Sequence, residues 1–290
     1  MALPTAINGR SQPSPAGAPR VSVVIPTLNE SRNLPYVFAR LPPGLAEVVL
    51  VDGGSVDDTV EVARTLRPDI RIVRQTRTGK GNALACGFAV CSGDVVVMID
   101  ADGSTDPMEI PAFVAALRGG ADYAKGSRFR SGGGSEDITP VRRLGNAVLN
   151  GIVNRLFGTR FTDLCYGYNA FWRDVIPGLE LPDVQLATAD GQRVWGDGFE
   201  IETLLNIRAA CTGLSIQEVS SVEARRLHGE SNLHVFADGR RILGTIVTEY
   251  RRARRAARPP RHRRSTAVAV AVAARFASEA PSGDRDPGER

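Results

Sequence analysis

The stretch V-V-V-M-I-D-A-D, from Val95 to Asp102, decides the fold. Its apolar residues run directly into two carboxylates, Asp100 and Asp102. A continuous apolar run of this length is typical of a strand that is covered on both faces of a parallel sheet. Ligands of open α/β sheets bind at the carboxyl ends of the strands. The stretch therefore predicts an α/β fold with an aspartate pair at its ligand-binding edge.

The aspartate pair has two interpretations. Neighbouring carboxylates repel each other unless a cation lies between them or one takes a proton. Carboxylate oxygens suit Mg²⁺ or Mn²⁺, and Mg²⁺ usually joins one or two carboxylates to substrate phosphates. Asp100 and Asp102 therefore indicate a metal–diphosphate site. The alternative is turn and helix-cap chemistry shared with Gly103, Ser104 and Asp106.

Strands and helices alternate from Val21 onward. The predicted strands are Val21–Ile25, Glu47–Asp52, Arg71–Val73 and Val95–Asp100, and the predicted helices are centred on 34–41, 57–66, 83–91 and 107–117. This order predicts a Rossmann-like, mostly parallel sheet with right-handed crossovers, flanked by helices in a single domain.

The pattern becomes less regular after Tyr123. Helices are expected over about 144–156 and 199–211, and a strand over 214–219. Two polar segments, Ser131–Asp137 and His228–Asp238, read as irregular; the first is glycine-rich and is expected to be mobile. We expect both segments to order over a bound ligand.

Composition predicts an ordinary cytoplasmic globular protein, with 42% hydrophobic and 23% charged residues. No stretch approaches the roughly 18 apolar residues that cross a bilayer, and the four cysteines lack zinc-like spacing. We expect a disordered leader over 1–20, one domain over 21–250 and a disordered tail over 251–290.

The predicted tail begins with a cationic arm, Arg251–Arg264. It holds eight arginines and no acid, so without it the net charge of +4 would be −4. Such an arm indicates an acidic partner. The charge alone fits an anionic membrane surface or a nucleic acid, and the alternative is a solvated tail. The family resemblance given below favours the inner face of a membrane, with no specific nucleic acid expected.

Polar residues follow three of the predicted strands. The segments are P-T-L-N-E (26–30), D-G-G-S (52–55) and D-A-D (100–102). Parallel packing brings the ends of such strands to one rim of the sheet. A carboxylate there can accept a hydrogen bond from a base or a ribose, and Gly53 and Gly54 leave room for a ligand.

Together with these segments, further motifs give the chain a family resemblance. They are G-K-G-N-A (79–83), K-G-S-R (125–128), T-D-L-C-Y-G-Y-N-A-F (162–171), G-F-E-I-E (198–202) and R-L-H-G-E-S-N-L (226–233). In this order they resemble an inverting family 2 glycosyltransferase of the GT-A fold, nearest the dolichol- and polyprenyl-phosphate sugar synthases. The resemblance covers roughly residues 21–250.

The resemblance implies a role for each matching position. The nucleotide sugar would be held by Pro26, Thr27, Asn29, Glu30, Asp52, Lys80, Asp100, Ala101 and Asp102. Arg128, Arg226 and Ser231 would bind acceptor or donor phosphates, for which arginine is apt. The cofactor would be Mg²⁺ or Mn²⁺, held by Asp100 and Asp102, with His228 as a further candidate ligand.

The implied reaction is inverting transfer of a sugar from a nucleotide-diphosphate sugar to a lipid phosphate. A hydroxyl acceptor on a soluble molecule or a glycan is the alternative, and it needs a general base, whereas a phosphate is already anionic. Candidate bases are Asp197, Glu200 and Asp163; helix capping is the structural alternative for the first two.

Two departures from the family pattern stand out: Ser104 replaces a glutamine that often binds the metal, and Gly53 replaces a second acid.

Two other classes of function remain open on the residues alone. A nucleotidyltransferase would usually carry a glycine-rich phosphate loop after its first strand, where this chain has P-T-L-N-E. A non-catalytic binding module would not need the D-A-D, G-S-R and G-F-E-I-E motifs together.

Overall fold

The computed structural model describes residues 17–188, 192–229 and 235–256. The strands are β1 (Val21–Thr27), β2 (Glu47–Asp52), β3 (Arg71–Arg74), β4 (Val95–Met98), β5 (Tyr123–Ser127), β6 (Gly134–Ser135), β7 (Asn169–Trp172), β8 (Ile216–Ser220) and β9 (Val222–Glu223). The helices are α1 (Leu34–Ala39), α2 (Thr59–Leu66), α3 (Lys80–Val90), α4 (Ile110–Arg118), α5 (Pro140–Phe157), α6 (Ile201–Cys211) and α7 (Val235–Ala256), with 3₁₀ turns at Pro107–Glu109 and Arg173–Leu179.

Seven strands form the central sheet, in the order β3-β2-β1-β4-β7-β5-β8. The pairs β3–β2, β2–β1, β1–β4 and β5–β8 are parallel, as the alternating sequence predicts. The exception is β7, which runs antiparallel between β4 and β5, with Asn169 opposite both Met98 and Lys125. The α/β fold and the mostly parallel sheet are therefore confirmed.

Helices cover both faces of this sheet because successive side chains of a strand point to opposite sides. On one face, Val23 of β1 belongs to a core that includes residues of α1 and α4. On the other face, Val24 packs in a core with residues of α3 and α6. Burial on both sides explains why β1, β2 and β4 read as continuous apolar runs.

Strand β4 ends at Met98, two residues before the predicted end at Asp100. The backbone N–H of Ile99 still donates to Val24 O at 3.2 Å, but the chain then turns away from the sheet. Gly103 completes the turn with φ of 78°, a conformation that favours glycine. Asp100 and Asp102 therefore lie just beyond the strand, in the turn at its carboxyl end.

Three later segments differ from the predicted elements. Within Ser131–Asp137, Gly134–Ser135 pair with Val222–Glu223 in a small sheet, while the mobility of this segment stays a prediction. The second predicted irregular segment, 228–238, includes the start of α7 at Val235. Helix α7 then continues past Tyr250, where the predicted tail begins, to Ala256. Predictions for residues 1–16 and 257–290 lie outside the described residues.

Over the described ranges, every helix is too short or too polar to span a bilayer.

Candidate active site

A cleft of about 830 Å³ opens along the carboxyl ends of the parallel strands. Residues that follow β1, β2, β3 and β4 form one wall, and residues from the loops near α5, α6 and β9 form the other. From the predicted site, the cleft is lined by Pro26, Thr27, Glu30, Lys80, Asp100, Ala101, Asp102, Arg128 and Arg226. The three strand ends that the sequence singled out thus meet at one rim.

Asn29 and Asp52 do not line the cleft; they fasten its first wall. Asn29 has a left-handed backbone, φ 58°, and its Oδ1 accepts from the Val56 N–H at 2.8 Å. Asp52 accepts from the N–H groups of Gly54 and Ser55, both at 3.1 Å. The Asn29 bond joins the loops after β1 and β2, and the Asp52 bonds hold the second of these loops in shape, so both residues support the wall that Pro26 and Thr27 expose.

Each aspartate of the pair is held by a basic side chain. Lys80 Nζ lies 2.6 Å from Asp100 Oδ1, and Arg226 Nη2 lies 3.2 Å from Asp102 Oδ2. Ser104 donates its hydroxyl to Asp102 Oδ1 at 2.6 Å. Burial works against the charge of Lys80, but the nearby carboxylates outweigh it and raise the pKa of the ammonium.

The pair also fits a divalent cation. Two carboxylates at an open cleft offer hard oxygen ligands, and they leave the remaining coordination positions to diphosphate oxygens and water, as Mg²⁺ prefers. Among the described residues, no three carboxylate, imidazole or thiol groups come together as a metal site. His228 is therefore not brought to the aspartates; its ring lies beside Tyr36, with ring centroids 6.1 Å apart.

Arg128 lines the cleft but already has partners. Its guanidinium bonds to both oxygens of Asp163, at 2.7 and 2.9 Å, and to Glu223 at 3.0 Å. It also lies over the ring of Tyr166, 4.8 Å from the centroid. This buried network anchors the strand ends of β5 and β9 to the chain before β7, so Arg128 has a structural role whether or not it contacts a ligand.

The three predicted bases are buried away from the cleft surface. Asp163 is wholly buried against Arg128 and Asn146. Asp197 is 1% exposed and ion-paired to Arg77. Glu200 accepts from the N–H groups of Gly196 and Gly198, both at 3.2 Å, and so ties the turn that precedes α6. None of the three lines the cleft, and their contacts favour the structural interpretation.

Helix α3 begins against the loop that carries Asp197. The N–H of Gly81 donates to the Asp197 carbonyl at 2.8 Å, and a Cβ on Gly81 would lie 1.8 Å from Gly196 O. Glycine is therefore required for this close approach. The contact sets the start of α3 and, with it, the position of Lys80 beside the aspartates.

Several cleft residues were missed by sequence reasoning. They are Gln75, Arg142, Arg193, Glu202, Glu223, Arg225, Asp238 and Arg241. Glu202 carried a weak signal because it closes the G-F-E-I-E motif, two residues after the residue that was chosen. The arginines had none, since isolated basic residues in loops and on helix surfaces are usually solvated. Ser231 lies outside the described residues.

The sequence profile described as glycosyl transferase family 2 matches residues 22–178. The chain belongs to this family, and it is a family 2 glycosyltransferase.

Two relatives share most of the described chain. Dolichol-phosphate mannosyltransferase from Pyrococcus furiosus is 33% identical over 223 residues, which are 74% of this chain and 59% of the relative. The chain thus spans less than two thirds of that protein. Polyprenol monophosphomannose synthase from Mycolicibacterium smegmatis is 35% identical over 228 residues, covering 74% of this chain and 81% of the relative.

A solved structure confirms the GT-A architecture. Glucosyl-3-phosphoglycerate synthase from Mycobacterium tuberculosis, in complex with Mn²⁺, uridine-diphosphate-glucose and glycerol 3-phosphate, superposes with a TM-score of 0.61. The sequences are 25% identical, and the match covers 80% of each chain.

Proposed function

We propose that the chain transfers a sugar from a nucleoside-diphosphate sugar to a polyprenyl phosphate, with inversion and with Mg²⁺ or Mn²⁺. One observation carries the choice of acceptor. All the carboxylates that line the described part of the cleft are ion-paired to lysine or arginine; they are Glu30, Asp100, Asp102, Asp137, Glu202, Glu223 and Asp238. Each of these carboxylates is engaged by a cation, so none stands free in the described part of the cleft to act as a general base on an acceptor hydroxyl. A phosphate acceptor is already anionic and needs none.

The first wall of the cleft suits the donor. Thr27, Gly53 and Gln75 follow three adjacent strands, where a nucleoside can lie against backbone and amide groups. Lys80 and Arg226 stand beside the aspartate pair and offer N–H groups to a diphosphate. Asp100 and Asp102 would hold a divalent cation, which would offset the charge that develops on the leaving nucleoside diphosphate.

The opposite wall suits an anionic acceptor. It carries Arg142, Arg193, Arg225 and Arg241, and arginine recognises phosphate oxygens in a bidentate manner. The names of the two relatives, which refer to dolichol phosphate and polyprenol monophosphomannose, support a lipid-linked phosphate. A small phosphorylated acid is the second candidate, because the solved relative is a glucosyl-3-phosphoglycerate synthase.

Helix α5 supports the lipid acceptor. Its buried face carries Asn146 and Asn150, followed by Val153 and Phe157, whereas on the outer face Val141, Leu144 and Val148 are 54–68% exposed. These three residues form one stripe at helical spacing, next to Arg142 in the cleft wall. A stripe of this kind, together with the arginine arm 251–264, favours contact with an anionic membrane surface that holds the acceptor.

Transfer assays with a matched set of acceptors test the proposal. The full chain is incubated with Mn²⁺ and radiolabelled UDP- or GDP-sugars, and with polyprenyl phosphate, the corresponding polyprenol or 3-phosphoglycerate. We expect label on polyprenyl phosphate and none on the polyprenol, because only the phosphate is anionic. Transfer to the free alcohol, or to 3-phosphoglycerate alone, would overturn the choice of acceptor.

A further inference from the structure

The ion pairs around Asp100 and Asp102 follow a symmetrical pattern that the family assignment does not explain. Lys80 Nζ lies 2.6 Å from Asp100 and also 2.6 Å from Glu202. Arg226 lies 3.2 Å from Asp102 and also 3.1 Å from Glu30. Each basic side chain thus bridges one aspartate of the pair and one glutamate from a different part of the chain.

The glutamate beside Lys80 is held in a space shaped for it. Glu202 lies in the first turn of α6, with its side chain 11% exposed. A Cβ on Gly167 would lie 2.4 Å from Glu202 Oε1 and 3.0 Å from Lys80 Nζ. Glycine at this position therefore allows the lysine and the glutamate to meet at the floor of the cleft.

The glutamate beside Arg226 is held equally firmly. Asn33, at the start of α1, donates its side-chain amide to Glu30 Oε2 and also to the carbonyl of His228 at 3.1 Å. Arg226 Nη1 donates to Glu30 Oε1. The glutamate is fixed by its own loop, and the arginine reaches it from the segment after β9.

Charge balance indicates what the glutamates do. Over the described residues, the direct ion pairs of Asp100, Asp102, Glu30 and Glu202 are made with Lys80 and Arg226. Four acids therefore share two paired cations, and this excess of two negative charges suits a divalent cation. When such a cation binds Asp100 and Asp102, Lys80 and Arg226 each lose an aspartate as an ion-pair partner. The glutamates remain, and they keep both basic groups beside the site with N–H groups free for a diphosphate.

We propose that Glu202 and Glu30 are positioning residues. When Asp100 and Asp102 bind a divalent cation, the two glutamates keep Lys80 and Arg226 beside the site. The two basic groups then bind the donor diphosphate in place of the aspartates. The proposal rests on the proposed donor and cation, but not on the acceptor. It requires that cation and nucleotide strengthen each other's binding, because the same basic groups occupy the aspartates in one state and the diphosphate in the other.

Binding of Mn²⁺ to the full chain tests this role without turnover. Free Mn²⁺ is followed by electron paramagnetic resonance, with no nucleotide, with UDP and with GDP. In the wild type we expect one nucleotide to tighten Mn²⁺ binding by about tenfold or more. Glu202→Gln and Glu30→Gln, which keep the side-chain shape and remove the charge, should weaken Mn²⁺ binding without nucleotide and reduce the effect of the nucleotide.

Arg226→Gln should change the affinity for Mn²⁺ without nucleotide in the opposite direction. It leaves Asp102 without its basic partner, so Mn²⁺ alone should bind more tightly than in the wild type, while the nucleotide should tighten it less. Loss of structure alone would weaken binding in every variant and cannot produce this reversal. Glu61→Gln, an exposed acid on α2, removes the same charge outside the cleft and should leave Mn²⁺ binding unchanged.

The outcomes separate the two proposals. If neither nucleotide affects Mn²⁺ binding in the wild type, the proposed donor and cation fail, and the role of the glutamates fails with them. If the wild type shows the effect but Glu202→Gln and Glu30→Gln retain it in full, only the positioning role is overturned.

Discussion

Arg77 and Asp197 form a buried ion pair in which two N–H groups of the arginine meet both oxygens of the aspartate, at 2.8 and 3.0 Å. Both side chains are 1% exposed. Arg77 also donates to the carbonyl oxygens of Asp183 and Leu186, at 2.9 and 3.2 Å. The arginine therefore fastens the segment before α6 to the chain just before α3, where Lys80 begins the helix.

The first prediction concerns how much the Arg77–Asp197 pair contributes to the stability of the fold. Asp197→Asn leaves a buried guanidinium without its counter-charge, and breaking a buried pair in this way costs about 3–5 kcal/mol. Urea unfolding measures this loss. The control is Asp69→Asn, which removes the exposed partner of Arg67 and should cost no more than about 1 kcal/mol. A fully stable Asp197→Asn chain without turnover would instead restore Asp197 as a candidate base.

A second prediction concerns the aspartate pair. Asp102→Asn should lower turnover by at least about 100-fold, because a charge that stabilises the reacting groups is lost, while circular dichroism and the melting temperature stay close to the wild type. Asp106→Asn is the matched control: this acid lies at the start of the following 3₁₀ turn and pairs with Arg40 outside the cleft. Full activity of Asp102→Asn in the presence of a chelator would exclude the metal role.

A third prediction follows from the pKa of Asp163. Burial opposes the charge, but hydrogen bonds from Arg128 outweigh it and lower the pKa below the ordinary 3.8. As pH falls through this range, the unfolded chain takes up the proton first, so the stabilisation by Asp163 is complete above about pH 4 and is lost at lower pH.

Urea unfolding of the wild type and of Asp163→Asn, at pH 7, 5 and 3, measures this dependence. The two chains should differ by several kcal/mol at pH 7 and 5, since the variant breaks a buried pair, and the difference should shrink at pH 3. A difference that is the same at all three values would show that ionisation of Asp163 does not stabilise the fold.

A fourth prediction concerns the outer face of α5. Replacing Val141, Leu144 and Val148 with serine should reduce co-sedimentation with anionic vesicles, because these exposed side chains are the apolar part of the proposed contact. A chain ending at Ala256 lacks Arg258, Arg261, Arg263 and Arg264 and should also bind less; the part of this loss that comes from charge should disappear at high salt. The serine variant should keep its affinity for the nucleotide. Equal vesicle binding by all three chains would exclude both surfaces.

The ends of the parallel strands could be predicted from local sequence. Buried strands appear in the sequence as apolar runs, and polar residues such as Thr27 and Asp100 follow where those runs end. Strand β7 could not be found in this way. Asn169–Trp172 is too short to show a period, and its antiparallel place is set by pairing with β4 and β5, which are distant in sequence.

The acids near the cleft also show what local sequence can predict and what it cannot. Glu200 and Glu202 are two residues apart at the start of α6, so on a helix of 3.6 residues per turn they point in widely different directions. The sequence by itself determined that carboxylates gather at this end of the sheet, because that depends on where apolar runs end. Only the tertiary structure decided that Glu202 meets Lys80 in the cleft while Asp163 and Asp197 are buried against Arg128 and Arg77. These pairs join segments far apart in the chain, so their partners are brought together only by packing.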